Sequence, residues 1–540
     1  VTMKCATDFL RLVAATALVS LPACGSTSEP GAAPYEAPPA WEDDDGKADA
    51  VTEGKKSDFF AANTFWYVRV KSWDPQHMSP SSLAEATQVE GAELEVFRAR
   101  PDMAGHCPDA EVGEGDRVHA TADFSLRTSG NFTNGTPKSS YKVKFTAKSA
   151  RLFGMRALNL KAMWNDVSQL RESIAWDQFR KARVAAPRHT YARFCIDGRY
   201  YGLYSVIEQV DESFLGTHFG DNDEGNLYKA YWEDIGPATL EHRRGADGDD
   251  SGRQYFTASE IEERTYQLQT NEKPDDDPKL QTYDDLAAFI RTVNGVGLPG
   301  DGKAKFDTPQ YRESMEAIFD VRGFLRWAGV NTLLGAWDNY YRTPSNYYLY
   351  NSGPKSEPKG FMSRPYFHWI PWDYDNSLGV DPMGIDWQYG DIVDWRKTSG
   401  GPAIPLVENL LANSELRAYY LDHLDYVLDT AFREDLLSEA LGAEGSGGGI
   451  DRVRVSAFLE ADGPQSPPHT GRQFTNDQVY WNGFEHQELW WAGSMHAWGI
   501  KHFVIMRQDS ARKQLAEWRK LHPKGSSGAS FPDAPTAIPE

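Results

Sequence analysis

Between Trp337 and Gly379 the chain reads WDNYYRTPSNYYLY and, after a connecting stretch, HWIPWDYDNSLG. Asp338, Asp373 and Asp375, with the amides Asn346 and Asn376, stand where aromatic-rich, apolar segments stop. Apolar strands are made by burial, and packing gives no reason to end them with acids. Holding a metal ion and handling a proton does give one.

The surrounding chain narrows the chemistry. Aromatics at 13% exclude general disorder. A formal charge of −22 argues against a nucleic-acid partner bound through a basic surface. Lys4 and Arg11 precede the apolar run Leu12–Leu21, which is too short to span a bilayer. Leu21-Pro22-Ala23-Cys24 follows and is similar to a bacterial lipobox. The expectation is a lipoprotein signal over residues 1–23 and a lipidated Cys24 that anchors the chain in the membrane. An ordinary secretory signal is the alternative. Gly25 and Ser26 are not the Asp that retains lipoproteins at the inner membrane, so the outer membrane is favoured, facing the periplasm or the exterior. Cys107 and Cys195 then remain, either as a disulfide or as two buried thiols.

Residues 24–57 are rich in Pro, Ala and acids and read as a tether. Residues 58–120 are β-rich, with TFWYVRVKSW and ELEVFRA as strands. A core is expected over 121–400, interrupted by an acidic insertion at 233–280. Within it, 165–183 reads as an amphipathic helix with Asp166 or Ser168 as N-cap and Ile174, Trp176 and Phe179 inward. Residues 190–210 read as a hairpin turning at Asp197-Gly198. Helices dominate 401–522, where Trp481, Trp490, Trp491 and Trp498 read as core at helical spacing, with a sugar platform as the alternative. Residues 523–540 read as a disordered tail. The fold class is α+β with two lobes, and a ligand cleft is expected between them.

Phosphoryl transfer needs a cation on the phosphates, acids and an amide around Mg²⁺, and an acid for the hydroxyl proton. Lys138, Lys142 and Lys144 lie on or before an early strand, and the acids already named supply the rest. Bland readings exist for each. The lysines fit a solvated strand face, and Asp338 fits a turn cap. HRD, DFG and GxGxxG motifs are absent.

Several blocks together resemble the spore coat protein H (CotH) kinase family. They are KSSYKVKF (138–145), LFGMRALNLKAMWNDVSQLRESIAWDQFR (152–180), APRHTYARFCIDGRYYGLYSVIEQVD (186–211), FG with NLYK (219–229), WAGVNTLLGAWDNY (327–340), NYYLY and HWIPWDYDNSLG. The resemblance implies a divergent two-lobed protein-kinase-like fold. It implies use of ATP with Mg²⁺ or Mn²⁺ and a protein acceptor bearing Ser or Thr. Carried onto this sequence, Asp338 is the catalytic acid or base, and Asp373, Asp375 and Asn346 hold metal. Lys144 is the first choice for the phosphate contact and Lys161 the second, with Lys142 and Arg127 beside them. Glu208 is the candidate partner of that lysine. One departure stands out: the family's Arg-Gly-Asn-Ser turn is here Arg127-Thr128-Ser129-Gly130-Asn131. Two rival functions are a surface adhesion protein on a kinase-like scaffold and a carbohydrate hydrolase with paired carboxylates. The spacing of Asp373 and Asp375 disfavours the hydrolase, because neighbours on one segment cannot flank a sugar.

Overall fold

The computed structural model describes residues 56–61, 64–72, 87–88, 91–99, 107, 116–130, 136–233, 236–243, 253–256, 263–273, 276–435, 449–458, 460, 473–483, 485, 487–491, 495–533 and 538–539. Cys24, its signal segment and nearly all of the tether lie outside them.

A short helix α1 (Lys56–Phe59) leads into the strands β1 (Phe65–Lys71), β2 (Thr87–Gln88), β3 (Glu93–Arg98), β4 (Arg117–Thr121), β5 (Phe124–Ser129), β6 (Ser140–Phe145) and β7 (Ala157–Lys161). After helix α2 (Arg171–Lys181) come β8 (His189–Ile196) and β9 (Arg199–Glu208). All nine strands form one sheet in the order β2-β5-β6-β7-β9-β8-β1-β3-β4. Side chains alternate between the faces of a strand. On β5, β6 and β7 one face packs Leu126, Tyr141, Val143, Leu158 and Leu160 into an apolar cluster. The register aligns Arg127 with Lys142 and Lys142 with Asn159, which places these polar residues, Lys144 and Lys161 on the other face. The same alternation that buries one side therefore makes the other side cationic.

The hairpin of β8 and β9 turns as expected, with Asp197 at φ 47° and Gly198 at φ 72°. A disulfide joins Cys107 to Cys195 with Cα atoms 6.0 Å apart, so the two thiols pair. The helix expected over 165–183 is shorter. Asp166 does not cap it directly; its carboxylate accepts from the Ser168 and Arg171 amides and pairs with the Arg171 guanidinium at 2.8 Å. It thereby shapes the loop that enters α2.

The lower lobe begins with α3 (Glu212–Phe219), capped by Asp211 through the Ser213 and Phe214 amides. Strand β10 (Asn226–Ala230), the small ribbon β11 (Trp232–Glu233) and β12 (Gly236–Pro237), and β13 (Tyr266–Leu268) follow. Helices α4 (Asp284–Val293), α5 (Pro309–Glu316) and α6 (Val321–Leu334) precede β14 (Tyr347–Asn351) and β15 (Phe367–Pro371). The second sheet runs β13-β10-β14-β15. Tyr255, Phe256 and Tyr266 of the expected acidic insertion are buried in the core, so part of that segment is integral to the lobe.

The rest of the chain adds β16 (Val380–Asp381), α7 (Trp395–Ser399), α8 (Pro405–Ala412), α9 (Ser414–Thr430), α10 (Gly449–Phe458), β17 (Glu488–Trp491), β18 (Met495–Trp498) and α11 (Ile500–Trp518). Two expectations change here. Trp490 lies on a strand and is 57% exposed, and Trp481 is 49% exposed, so they are not helical core. Residues 523–533 dock rather than trail. Asp422 of α9 accepts from the Gly525 and Ser527 amides, Asp533 pairs with Arg326 at 3.2 Å, and Phe531 packs on Tyr419 and Tyr426. Their Pro/Ser/Gly composition carries no periodicity from which such docking can be read. Among the described residues, no helix is long and apolar enough to cross a membrane.

From α10 onward the chain returns to the upper sheet. Ser456 accepts from Arg193 and Tyr200, and Glu460 takes the Lys138 ammonium at 2.9 Å together with the Leu203 amide. Lys138 is fully buried in that pair, which removes it from the candidate phosphate contacts. Replacing Lys138 by Met strands a buried carboxylate, at an expected cost of about 3–5 kcal/mol. Urea unfolding checks this, and adding Glu460→Gln to the same variant should recover much of the loss.

Candidate active site

Each candidate side chain is delivered by the end of an element. Lys161 is the last residue of β7, and Glu172 lies in the first turn of α2. Asp338 follows α6, which Gly335 closes in the left-handed conformation at φ 59°. Asn346 precedes β14, and Asp373 and Asp375 follow β15. Asn346 and Asp373 themselves have φ of 54° and 61°. A non-glycine residue in that region costs free energy, and such strain gathers at sites where a side chain must be aimed.

Lys161 Nζ donates to Asp373 Oδ1 at 2.9 Å, joining the upper sheet to the lower lobe. Glu172 lies behind the pair and accepts from the Tyr374 amide at 3.4 Å and from the Ser205 hydroxyl at 3.3 Å. Asp338 accepts from the Thr343 hydroxyl at 2.7 Å and from Asn376 Nδ2 at 2.9 Å. Asn346 Nδ2 donates to the Asp338 carbonyl at 2.8 Å, which leaves its Oδ1 as an acceptor. Asn376 thus ties Asp338 to the segment carrying Asp373.

The electrostatics follow from burial and crowding. Burial lowers the Lys161 pKa, but Asp373, Glu172 and Asp375 outweigh it and hold the ammonium above its ordinary value. Burial pushes Glu172 up to about 8, against the pull of Lys161. Burial and then Asp373 push Asp375 well up, and burial also raises Asp338. Crowded acids of this kind are relieved by a cation. Asn376 Oδ1 is buried and has no hydrogen-bond partner, another open oxygen beside them. An all-oxygen donor set suits Mg²⁺ or Mn²⁺. Among the described residues no three His, Cys, Asp or Glu converge on a closed metal cage. Mg²⁺ does not ask for one, since it keeps waters and takes phosphate oxygens.

The family model described as CotH kinase protein matches residues 126–443. The chain belongs to that family. It is 25% identical over 339 residues to inner spore coat protein H of Bacillus subtilis, covering 63% of this chain and 78% of the relative. It is 21% identical over 416 residues to invasin CotH2 of Rhizopus delemar, covering 74% of this chain and 61% of the relative. The mixed fold, strand-rich at the N-terminal side and helical at the C-terminal side, is that of a CotH kinase-like α+β protein.

Within this family member the structure sorts the candidates. Asp338, Asn346, Asp373 and Asp375 come together with Lys161. Lys144 shares the face of Lys161 but is exposed, and the lysine that meets Asp373 is Lys161. Lys142 donates to Gln209 at 2.8 Å, and Arg127 lies across from it on β5. Glu208 is not the partner of the site lysine. It lies on the opposite face of the sheet, where Arg188 at 2.8 Å and Lys56 at 3.5 Å hold it down to about 2 against burial. Glu172 takes the place beside the lysine instead. Its neighbour Arg171 is paired with Asp166. A first-turn glutamate on the helix after the lysine strand was the signal for it.

Glu172 keeps its proton in the folded chain to about pH 8, whereas its ordinary pKa is 4.5. The stability carried by that proton is complete at acid pH and is lost as pH rises through the folded value. Glu172→Gln, which keeps the shape and cannot ionise, should raise the melting temperature of the metal-free protein at about pH 9 by roughly 2 °C or more. At about pH 5 the change should be small. Scanning calorimetry in EDTA at both pH values checks this.

Proposed function

We propose that this chain is a surface-located protein kinase that transfers the γ-phosphoryl group of ATP to Ser or Thr hydroxyls of secreted or surface proteins, dependent on Mg²⁺ or Mn²⁺. One observation carries the reading: Lys161 bridges to Asp373 with Glu172 behind it, while Asp338 is held nearby by Thr343 and Asn376. Lys161 is placed to grip phosphate oxygens, with Glu172 and Asp373 aiming its ammonium. Asp373, Asp375 and Asn346 are the residues that would hold the divalent ion, which when bound neutralises phosphate charge.

Asp338 accepts the proton of the acceptor hydroxyl. The bond from the hydroxyl oxygen to the γ-phosphorus forms, the bond from that phosphorus to the β-bridging oxygen breaks, and ADP leaves. A carboxylate whose pKa burial has raised is a stronger base than a solvated one, which suits this step. Lipidation at Cys24 is the proposed anchor, and the cell envelope the proposed location. Relatives named as a spore coat protein and an invasin support a surface or coat setting.

The invasin name also supports a second reading, in which the fold serves as a surface binder. The acid set is intact, which favours the kinase. The two are separated by a thermal shift with ATP and Mg²⁺ or Mn²⁺, since a ligand well above its Kd stabilises by a few kcal/mol. No shift would favour the binder.

Transfer of labelled γ-phosphate to protein substrates, or to the chain itself, tests the activity. Asp338→Asn is expected to lower kcat about 10²–10⁴-fold, and activity that survives it would remove Asp338 from the base role. Lys161→Ala should abolish measurable transfer, whereas Lys144→Ala, on the exposed pleat, should change kcat/KM less than about tenfold. The reverse ranking would return the phosphate contact to Lys144.

A further inference from the structure

Lys229 stands on β10 of the lower sheet, in register with Tyr348 of β14. Its ammonium lies over the rings of Tyr231, Tyr348 and Trp372, at 4.7, 5.7 and 5.8 Å from their centroids. Trp372 immediately precedes Asp373, so this cation stands against the segment that carries the candidate metal acids. From the upper lobe, Arg127, Lys142 and Lys161 share the inner face of the sheet. Lys142 and Lys229 are close enough to repel one another, and Lys229 also feels Lys161 and Arg127. Asp373 is the acid that acts on Lys229, and Asp211 acts on Lys142.

Neither Lys229 nor Lys142 forms an ion pair among the described residues. Lys142 is held by the neutral Gln209 amide, and Lys229 by aromatic faces. Burial, with Lys161 next, brings Lys229 down to about 8, and burial, with Lys229 next, does the same for Lys142. A fold has no stability reason to bring half-buried cations from two sheets close enough to repel one another. An anion with several charged oxygens in a row gives the arrangement a reason.

We propose that Lys229 is a second phosphate-contact residue, closing on a polyphosphate chain from the lower sheet while Lys142 and Arg127 face it from above. The inference rests on the phosphotransfer reading and deepens it. Lys161 would meet the phosphates at the end nearest the acids, and Lys229 and Lys142 would hold the rest of the chain. These contacts then select for the number of linked phosphates. A nucleoside triphosphate and inorganic tripolyphosphate share the chemistry that is recognised.

Isothermal titration of the full chain with MgATP, magnesium tripolyphosphate and AMP tests this in wild type, Lys229→Met and Lys229→Arg. Wild type should bind both triphosphates more tightly than AMP. Lys229→Met should weaken both triphosphates at least tenfold, and by similar factors, with little effect on AMP. Lys229→Arg should restore most of the affinity. A thermal scan without ligand separates this role from a structural one. Removing a repelled cation should leave the melting temperature of Lys229→Met equal to or above wild type. Unchanged triphosphate binding in Lys229→Met overturns the proposal and leaves the kinase reading standing. Weakened binding of MgATP alone, with tripolyphosphate unaffected, also overturns it, because the contact would then be to the nucleoside. Failure of wild type to bind either triphosphate overturns both.

Discussion

The bond between Lys161 and Asp373 is the contact on which the rest of the site depends. It joins the last residue of a strand in the upper sheet to the segment that leaves the lower sheet. Glu172, Asp375 and Asp338 crowd around it, with carboxyl pKa values raised by burial. One lysine does not neutralise that many acids. The arrangement is unfavourable in isolation and is suited to a site completed by a cation and a phosphate chain.

The two lobes meet this site with opposite walls built by one rule. Strand alternation sends the apolar residues of β5, β6 and β7 into the upper core and turns Arg127, Lys142, Lys144 and Lys161 towards the other side. The lower sheet supplies Lys229 among aromatic rings. The C-terminal part of the chain then ties the assembly together. Lys138 and Glu460 form a buried pair against β9, and Arg171, beside Glu172, donates to the Trp498 carbonyl near the end of the chain. The helix that carries the site glutamate is therefore held from a segment far from it in sequence.

Much of this was legible in the residues themselves. Alternating runs marked β1 and β3, Asp197-Gly198 marked the hairpin, and the acids after FHWIPW marked the candidate site. The family resemblance added roles that spacing alone does not carry. Glu208 and Glu172 are both acids near aromatic, apolar segments, and only the sheet register shows that Glu208 faces Arg188 and Lys56 while Glu172 faces Lys161. Trp481 and Trp490 looked like core because tryptophan usually is core, yet both are about half exposed. Residues 523–533 looked like a tail because docking by single polar contacts leaves no periodic trace.

The sequence by itself determined which residues could do chemistry, the faces of the strands they stand on, and the family. These are local matters, set by side-chain period, turn residues and block order. The tertiary structure alone decided which lysine meets which acid. Lys161 and Asp373 are 212 residues apart in the chain, and Lys142 and Gln209 are 67 apart. Such pairings are set by strand register and by the packing of elements far apart in the chain, and no local pattern encodes the far partner.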